Sequence, residues 1–479
     1  MTTARTRRWL ARTAAVLAAT AVAGATMPAA EAKPPKGDTA KVSEGPKGEQ
    51  LDGPSSALGL SEDGRSALFT SAATNLLPVA GTPNSDEIYV RNLRNGHIER
   101  ASVADDGSPL NAPTTEASIS GDSRYVAFST AATNVVPGQV QHASDVFVRD
   151  RWTGRTELVT AAALPSTDDQ SRYGALSPSI SRDGRYVAYV SNRSDLAPGV
   201  LRRGRNNVYI TDRWTHTSRL VTVGADGEGA NNNSFEPTIS ADGSTVGFTS
   251  RAGNLLPEPP APTGDPATDP ATADTGSAPD AESAPDGGAP GLTGPHYYRY
   301  YVWNAATGIV GGSLNDTGGL IGSQDGRISP DGRYAVYSLP IFIGGSPGPA
   351  HGIRMDVYVH ELATGKVTKV NTDLPGTSTK WSSFGGVMTF DDRWVYFASN
   401  AETLVPGDTN DSTDVFRRDL RTGLIERVSL TRDGEQTTGA ASYSPAVDAA
   451  GNTVIFTAVG GNLVPGNTGD RQDVFLRRL

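Results

Sequence analysis

The stretch Ser179-Ile180-Ser181-Arg182-Asp183-Gly184-Arg185-Tyr186-Val187-Ala188-Tyr189 decides the fold, because versions of it return at a nearly fixed interval to the end of the chain. Taking the Asp of each Asp-Gly-like turn as a marker gives Asp63, Asp122, Asp183, Asp242, Asp331 and Asp391, with Ala450 in the seventh place. The steps between them are 59, 61, 59, 89, 60 and 59 residues. Self-similarity at a fixed period identifies a repeat protein, in which one supersecondary unit packs on copies of itself.

Two residues before each marker stands Ser61, Ser120, Ser181, Ser240, Ser329, Thr389 or Asp448, whose oxygen is expected to bond the turn backbone rather than act as a nucleophile. The Asp-Gly pair between apolar runs predicts a two-residue hairpin loop, with Gly supplying positive φ. Six residues after the marker comes an aromatic: Phe69, Phe128, Tyr189, Phe248, Tyr337, Phe397 and Phe456. A third strand repeats the pattern with Tyr89, Phe147, Tyr209, Tyr301, Tyr358, Phe416 and Phe475, so these rings are packing and not a ligand platform. A turn such as Arg151-Trp152-Thr153-Gly154 leads to a fourth alternating strand, as in Ile425-Glu426-Arg427-Val428.

Four antiparallel strands per unit with no helical pattern between them predict an all-β, seven-bladed β-propeller, in which radial repetition protects the sheet edges. The seventh unit stops at Leu479, directly after its third strand. The missing strand is found at the other end: Lys41-Val42-Ser43 reads like Arg427-Val428-Ser429 of the sixth unit, so the N-terminal strand is expected to complete the last blade and close the ring. This places a closing strand at 40–43 and blades near 58–103, 117–160, 178–223, 237–314, 327–372, 387–430 and 445–479.

Residues 1–32 have the pattern of a signal peptide: Arg5, Arg7, Arg8 and Arg12, an apolar run from Ala14 to Ala25, and Ala30-Glu31-Ala32 as a cleavage site. Thr6-Arg7-Arg8-Trp9-Leu10 also fits the twin-arginine pattern. A secreted, monomeric protein with no membrane span is expected, since the apolar run is too short to cross a bilayer. The chain has no Cys, which excludes disulfides and thiolate chemistry. Removing four Arg and one Glu with the leader from 42 basic and 52 acidic residues leaves 38 and 51, a balance of −13 that argues against nucleic acid as a partner. Residues 33–39 read as a flexible lead-in. Residues 258–295, rich in Pro, Ala, Gly, Asp and Thr, read as a disordered insert in blade four and account for the 89-residue step.

In a four-stranded meander the one-to-two and three-to-four turns share one rim, and the longer connections share the other. Function concentrates on loops held by a rigid scaffold, which points to the long-loop rim and the channel mouth at its centre. Glu116, Glu236 and Asp325 each stand six residues before a marker, where the innermost strand enters that mouth. Such carboxylates could serve acid–base chemistry or a cation, or simply form a solvated rim. Tyr173, Trp381 and Tyr443, in connecting loops, could stack on a sugar or peptide or seal gaps between blades. Asp408-x-Asn410-x-Ser412-x-Asp414 has the alternating oxygens of a calcium loop, the one cofactor reading open to this chain, but lacks its turn Gly and terminal Glu. Asp414 also belongs to a column of strand-three starters (Glu87, Asp145, Asn207, Asp356, Asp414, Asp473) expected to satisfy loop backbone. Arg299 is the exception in that column and marks blade four as irregular. Gly344-Gly345-Ser346-Pro347-Gly348 fits the letters of a nucleophile elbow without the helix that should follow, and the six His share no column.

Ser181-Arg182-Asp183-Gly184-Arg185-Tyr186-Val187-Ala188-Tyr189, with Asp145-Val146-Phe147-Val148 and Asp356-Val357-Tyr358-Val359, resembles the WD40-like Asp-Gly repeats of TolB-type β-propellers, from about Ala57 to Leu479. The resemblance is to the propeller alone. That family carries an α/β domain ahead of its propeller, and here the 25 residues Lys33 to Ala57 separate the leader from the first blade. The same repeat forms the gating propeller of prolyl-oligopeptidase-like enzymes, and no catalytic residue transfers from either. The expected role is a non-catalytic binding or scaffold module for protein or cell-wall carbohydrate, with a carboxylate hydrolase or lyase as the competing class.

Overall fold

The computed structural model describes residues 37–77, 85–165, 170–199, 204–257, 298–313, 323–343, 352–375, 377, 381–467 and 471–479. The expected leader, the 258–295 insert and the 344–348 stretch lie outside the described residues. The described strands form seven four-stranded antiparallel sheets. In blade three they are Ala175–Ile180, Tyr186–Ser191, Asn207–Asp212 and Thr217–Leu220, paired in that order.

The seventh sheet takes Ala441–Val447, Thr453–Val459 and Gln472–Arg478 from the C-terminus and Asp38–Lys41 from the N-terminus. The closing strand lies opposite the last one, with Lys41 facing Phe475. Beyond Lys41 the peptide N–H groups of Val42 and Ser43 both donate to the Val474 carbonyl. Val428 and Ser429 treat Val415 in the same way, so the sequence equivalence of the two segments is also a geometric one.

Burial follows the ring. The aromatic pairs stack within each blade, as Tyr189 does on Tyr209 with centroids 5.8 Å apart. Separate apolar clusters then join blade seven to one, one to two, and so on round to six and seven. A blade alone would leave both faces of its sheet wet; each neighbour removes one of them.

The Asp-Gly hairpins are longer than predicted. Ser61 N–H donates to the Ser66 carbonyl, so four residues form the loop, and the Ser61 hydroxyl donates to Asp63 while accepting from Ser66 N–H. Only the Gly64 position is left-handed (φ 66°), as in a loop built on a type I turn rather than type I′. Ser123 and Asp392 take that position in blades two and six.

Most blades bury a hydrogen-bonded polar residue at the start of the third strand. The fourth strand or its continuation satisfies it: Ser43 donates to Asp473, Thr160 to Asp145, Thr222 to Asn207, Asn371 to Asp356 and Ser429 to Asp414. The charge is met from the fourth strand too, by Lys41 on Asp473, Arg100 on Glu87 and Lys369 on Asp356. Blade three has Leu220 at the cation position and the neutral Asn207 at the carboxylate position. Blade two has Leu158 at the cation position but keeps Asp145, and its cation comes from the next blade. Arg193, fully buried, reaches Asp145 at 2.9 Å while its other edge is held by Asp195.

Candidate functional site

At the short-turn end the channel is laced shut. The peptide N–H of Glu62 donates to Gly121, Gly121 to Arg182, Arg182 to Ala241, Ala241 to Pro330, Phe390 to Ala449 and Ala449 to Glu62. Pro330 has no N–H and leaves the belt open toward Phe390. The Arg182 side chain of blade three then pairs with Glu62 of blade one at 2.8 Å and lies over the Phe390 ring of blade six. Groups from three sides of the ring thus meet near the axis.

The other end is open. A cavity of about 540 Å³ there gathers Glu116, Glu236, Asp325 and Tyr443 with Arg327, Phe384 and Ser177. The three carboxylate candidates therefore share one site with Tyr443, which lies not in a connecting loop, as expected, but on the first strand of blade seven opposite Thr457. For Glu236 and Asp325 the placement comes from a bulge in the first strand. Ser177, Glu236, Asp325, Gly385 and Ser444, all six residues before their markers, have φ between 49° and 68°. A left-handed non-Gly residue costs roughly 1–3 kcal/mol, and such bulges re-aim side chains. Blade two lacks the bulge, and its Glu116 lies in regular pairing opposite Ser129.

The three carboxylates are not equivalent. Glu116 accepts from the Ser177 peptide N–H at 2.6 Å, from the Ser177 hydroxyl and from Ser129. It braces the neighbouring bulge. Glu236 and Asp325 are exposed to the water of the mouth, yet the strands crowded round them take away part of their hydration. This loss pushes both carboxyls above the usual range; for Glu236 the negative Asp325 and Glu116 add to it, and Arg327 pulls both back. Tyr443 donates to Gln472 and shares the wall.

Tyr173, Trp381 and Arg299 do not line this cavity. Tyr173 offers its carbonyl to Ala143 N–H, Trp381 lies partly exposed in its loop, and Arg299 heads its strand near the buried Tyr301, whose hydroxyl donates to the Ala252 carbonyl. The 408–414 loop already holds a cation of its own. Arg427 sits 2.9 Å from Asp408 and 3.7 Å from Asp414, and the Asn410 amide donates to Asp414. Burial still raises Asp408 to about 6. Among the described residues no three His, Asp or Glu side chains converge as metal ligands, and no helix is long and apolar enough to cross a membrane.

Sequence reasoning missed Arg193. Its column otherwise reads Ala73, Ala132, Ala252, Ile341, Ala401 and Gly460, and that contrast was the available signal. With Asp195 and His142 it floors a second cavity of about 660 Å³ between blades two and three.

No family model matches the chain, and no curated protein matches it. Solved structures do. TolB from Acinetobacter baumannii is 15% identical, covering 83% of this chain and 77% of that one with a TM-score of 0.36. The β-propeller domain of the Trilobed protease from Pyrococcus furiosus, described as having an open velcro topology, is 11% identical, covering 88% and 95% with a TM-score of 0.46. The acylaminoacyl peptidase of Pyrococcus horikoshii is 12% identical over 85% of this chain and 49% of its own length, with a TM-score of 0.44. The chain's structural neighbours thus include TolB and other β-propeller proteins. The seven blades themselves are read from the strand pairing.

Proposed function

We propose that the chain is a binding module without chemistry of its own, exported by its leader and acting as a single ring. In this reading it takes a protein segment that inserts a basic side chain into the channel mouth. The observation that carries this is a cavity open at one end and laced at the other, in which Glu116, Glu236 and Asp325 outnumber Arg327. A ligand cannot thread such a channel; it can only lodge an end or a side chain there. A primary amine or guanidinium would restore the hydration that Glu236 and Asp325 lose.

The test is calorimetric titration with tetralysine, and with tetraglutamate as control. Saturable binding of tetralysine, weakened about tenfold by Glu236→Gln or Asp325→Asn, supports the reading. Absence of binding, or variants that bind as wild type does, would remove it.

A hydrolase or lyase is the second reading, favoured by two carboxyls gathered in one cavity, of which an acid–base pair would need one protonated and the other ionised. It requires product release from an oligosaccharide substrate that Glu236→Gln abolishes. Against it stands Glu116, whose oxygens are engaged by Ser177 and Ser129.

A further inference from the structure

The opposite rim departs from its own repeat in two adjacent blades. At the three-to-four turn, blades one, four, five and six carry Leu93-Arg94, Ala305-Ala306, Leu362-Ala363 and Leu420-Arg421, whereas blades two and three carry Arg151-Trp152 and Arg213-Trp214. The two Trp side chains are 68% and 63% exposed. They are nonetheless fixed. Arg124 lies between Tyr125 and Trp152, 4.8 and 4.9 Å from the ring centroids, and Asp150 holds its guanidinium at 2.6 Å. Arg185 sits in the same way between Tyr186 and Trp214, held by Asp212. Each Trp therefore has one face backed by a cation and the other turned to water.

The fold does not need these rings. Blade six builds the same turn from Arg393, Trp394 and Asp419 with Arg421 in the outer place, and blade five does so with Ala363. A third departure is conformational. Five of these turns end on a left-handed Gly, at Gly96, Gly154, Gly308, Gly365 and Gly423, and blade three puts His216 there at φ 53°. Strain kept where sister turns avoid it points to a use for the side chain. His216 and Trp214 wall a cleft of about 500 Å³ between the two blades, whose other side is Asp150, Arg155 and Glu157. Trp152 is next in the chain to Thr153, which also lines the cleft.

We propose that this cleft is a carbohydrate site for a neutral β-linked oligosaccharide of gluco configuration, one ring stacking on Trp214 inside the cleft and the sugar chain running out past Thr153 to Trp152, which stands outside the lining at its edge. Sugars with all-equatorial substituents present a flat C–H face to an aromatic ring and a girdle of hydroxyls to planar polar groups. Asp150, Arg155, Glu157 and His216 are such groups. The guanidiniums are already matched, Arg124 by Asp150, Arg185 by Asp212, Arg213 by Glu157 and Arg155 by Asp105, which leaves no surplus charge for a phosphate or carboxylate. The core of a protein interface would surround the Trp rings with aliphatic side chains; here, among the described residues, Val148 is the one aliphatic side chain lining the cleft.

The site is independent of the channel mouth, and so is its test. Cellotetraose and tetra-N-acetylchitotetraose are titrated into the full chain, followed by tryptophan fluorescence and heat. Saturable binding is expected for at least one. Trp152→Ala and Trp214→Ala should each weaken it at least about tenfold, because stacking area is lost. Trp381→Ala and Glu236→Gln should leave it unchanged. His216→Gly should raise the melting temperature while weakening binding. Ala stands at the Trp position in blades four and five, so folding is preserved. No saturable binding of either tetrasaccharide, or a Trp152→Ala/Trp214→Ala double variant that binds as wild type does, overturns the proposal. So does a protein partner whose capture needs both Trp residues while neither sugar binds.

Discussion

Replacing Arg193 by Ala tests how this ring neutralises its buried carboxylates. The guanidinium has no exposed surface and holds Asp145 and Asp195, both nearly inaccessible, at 2.9 Å. Removing one partner of a buried pair leaves an unmatched charge and costs about 3–5 kcal/mol. The repeat supplies its own remedy. In blades one and six the residue equivalent to Leu158 is Arg100 or Arg427, and the residue equivalent to Asp195 in blades one, two, four and seven is Asn75, Asn134, Asn254 or Asn462. The triple variant Arg193→Ala, Asp195→Asn, Leu158→Arg reproduces that wiring and should return to within about 1.5 kcal/mol of wild type, a coupling measurable in a mutant cycle. Equilibrium urea denaturation reads both quantities. The reasoning fails if Arg193→Ala alone costs less than about 1 kcal/mol, or if Leu158→Arg brings no recovery in its background.

Asp408 links stability to pH. Its carboxyl stands at about 6 in the folded chain against 3.8 ordinarily. The folded state therefore holds this proton more tightly, and the stability it contributes at low pH is lost as pH rises from about 4 to about 6, by at most about 3 kcal/mol. Asp408→Asn should flatten that part of the profile, measured by urea midpoints at about pH 4.5 and 7; an unchanged slope would count against it. Calcium should not shift the melting temperature, since Arg427 already serves Asp408 and Asp414; a rise of several degrees would restore the calcium loop. Gly247→Ala should destabilise by about 1–3 kcal/mol or more, because its Cβ would run into the Tyr300 hydroxyl, and Tyr300→Val should rescue it, as read by thermal melts.

The ring was legible because its determinants are local and repeated: the Asp-Gly turns, the two aromatic columns, and Lys41-Val42-Ser43 as a copy of Arg427-Val428-Ser429. The gathering of Glu116, Glu236 and Asp325 followed from a fixed offset to the marker. Their division of labour did not. Glu116 braces a backbone N–H of the next blade, and that N–H is presented only because Ser177 is bulged, which no spacing announces. The oxygens around Asp408 mislead for a related reason. Alternation is what any loop entering a strand displays, and the cation that meets it lies one strand away in Arg427. Trp152 reads in the sequence as one residue of an ordinary turn, since its meaning rests on comparison with Arg421 and Ala363 at the same place.

The peptide belt round the axis has one missing stitch. Between Pro330 and Phe390 no backbone N–H donates, so blades five and six are joined there by side chains alone. A propeller is commonly pictured as weakest where its two termini meet. Here the termini are zipped into one sheet, and the gap in the belt lies a blade and a half away, set by one imino acid; amide exchange is expected to be faster along that line than at the closing strand.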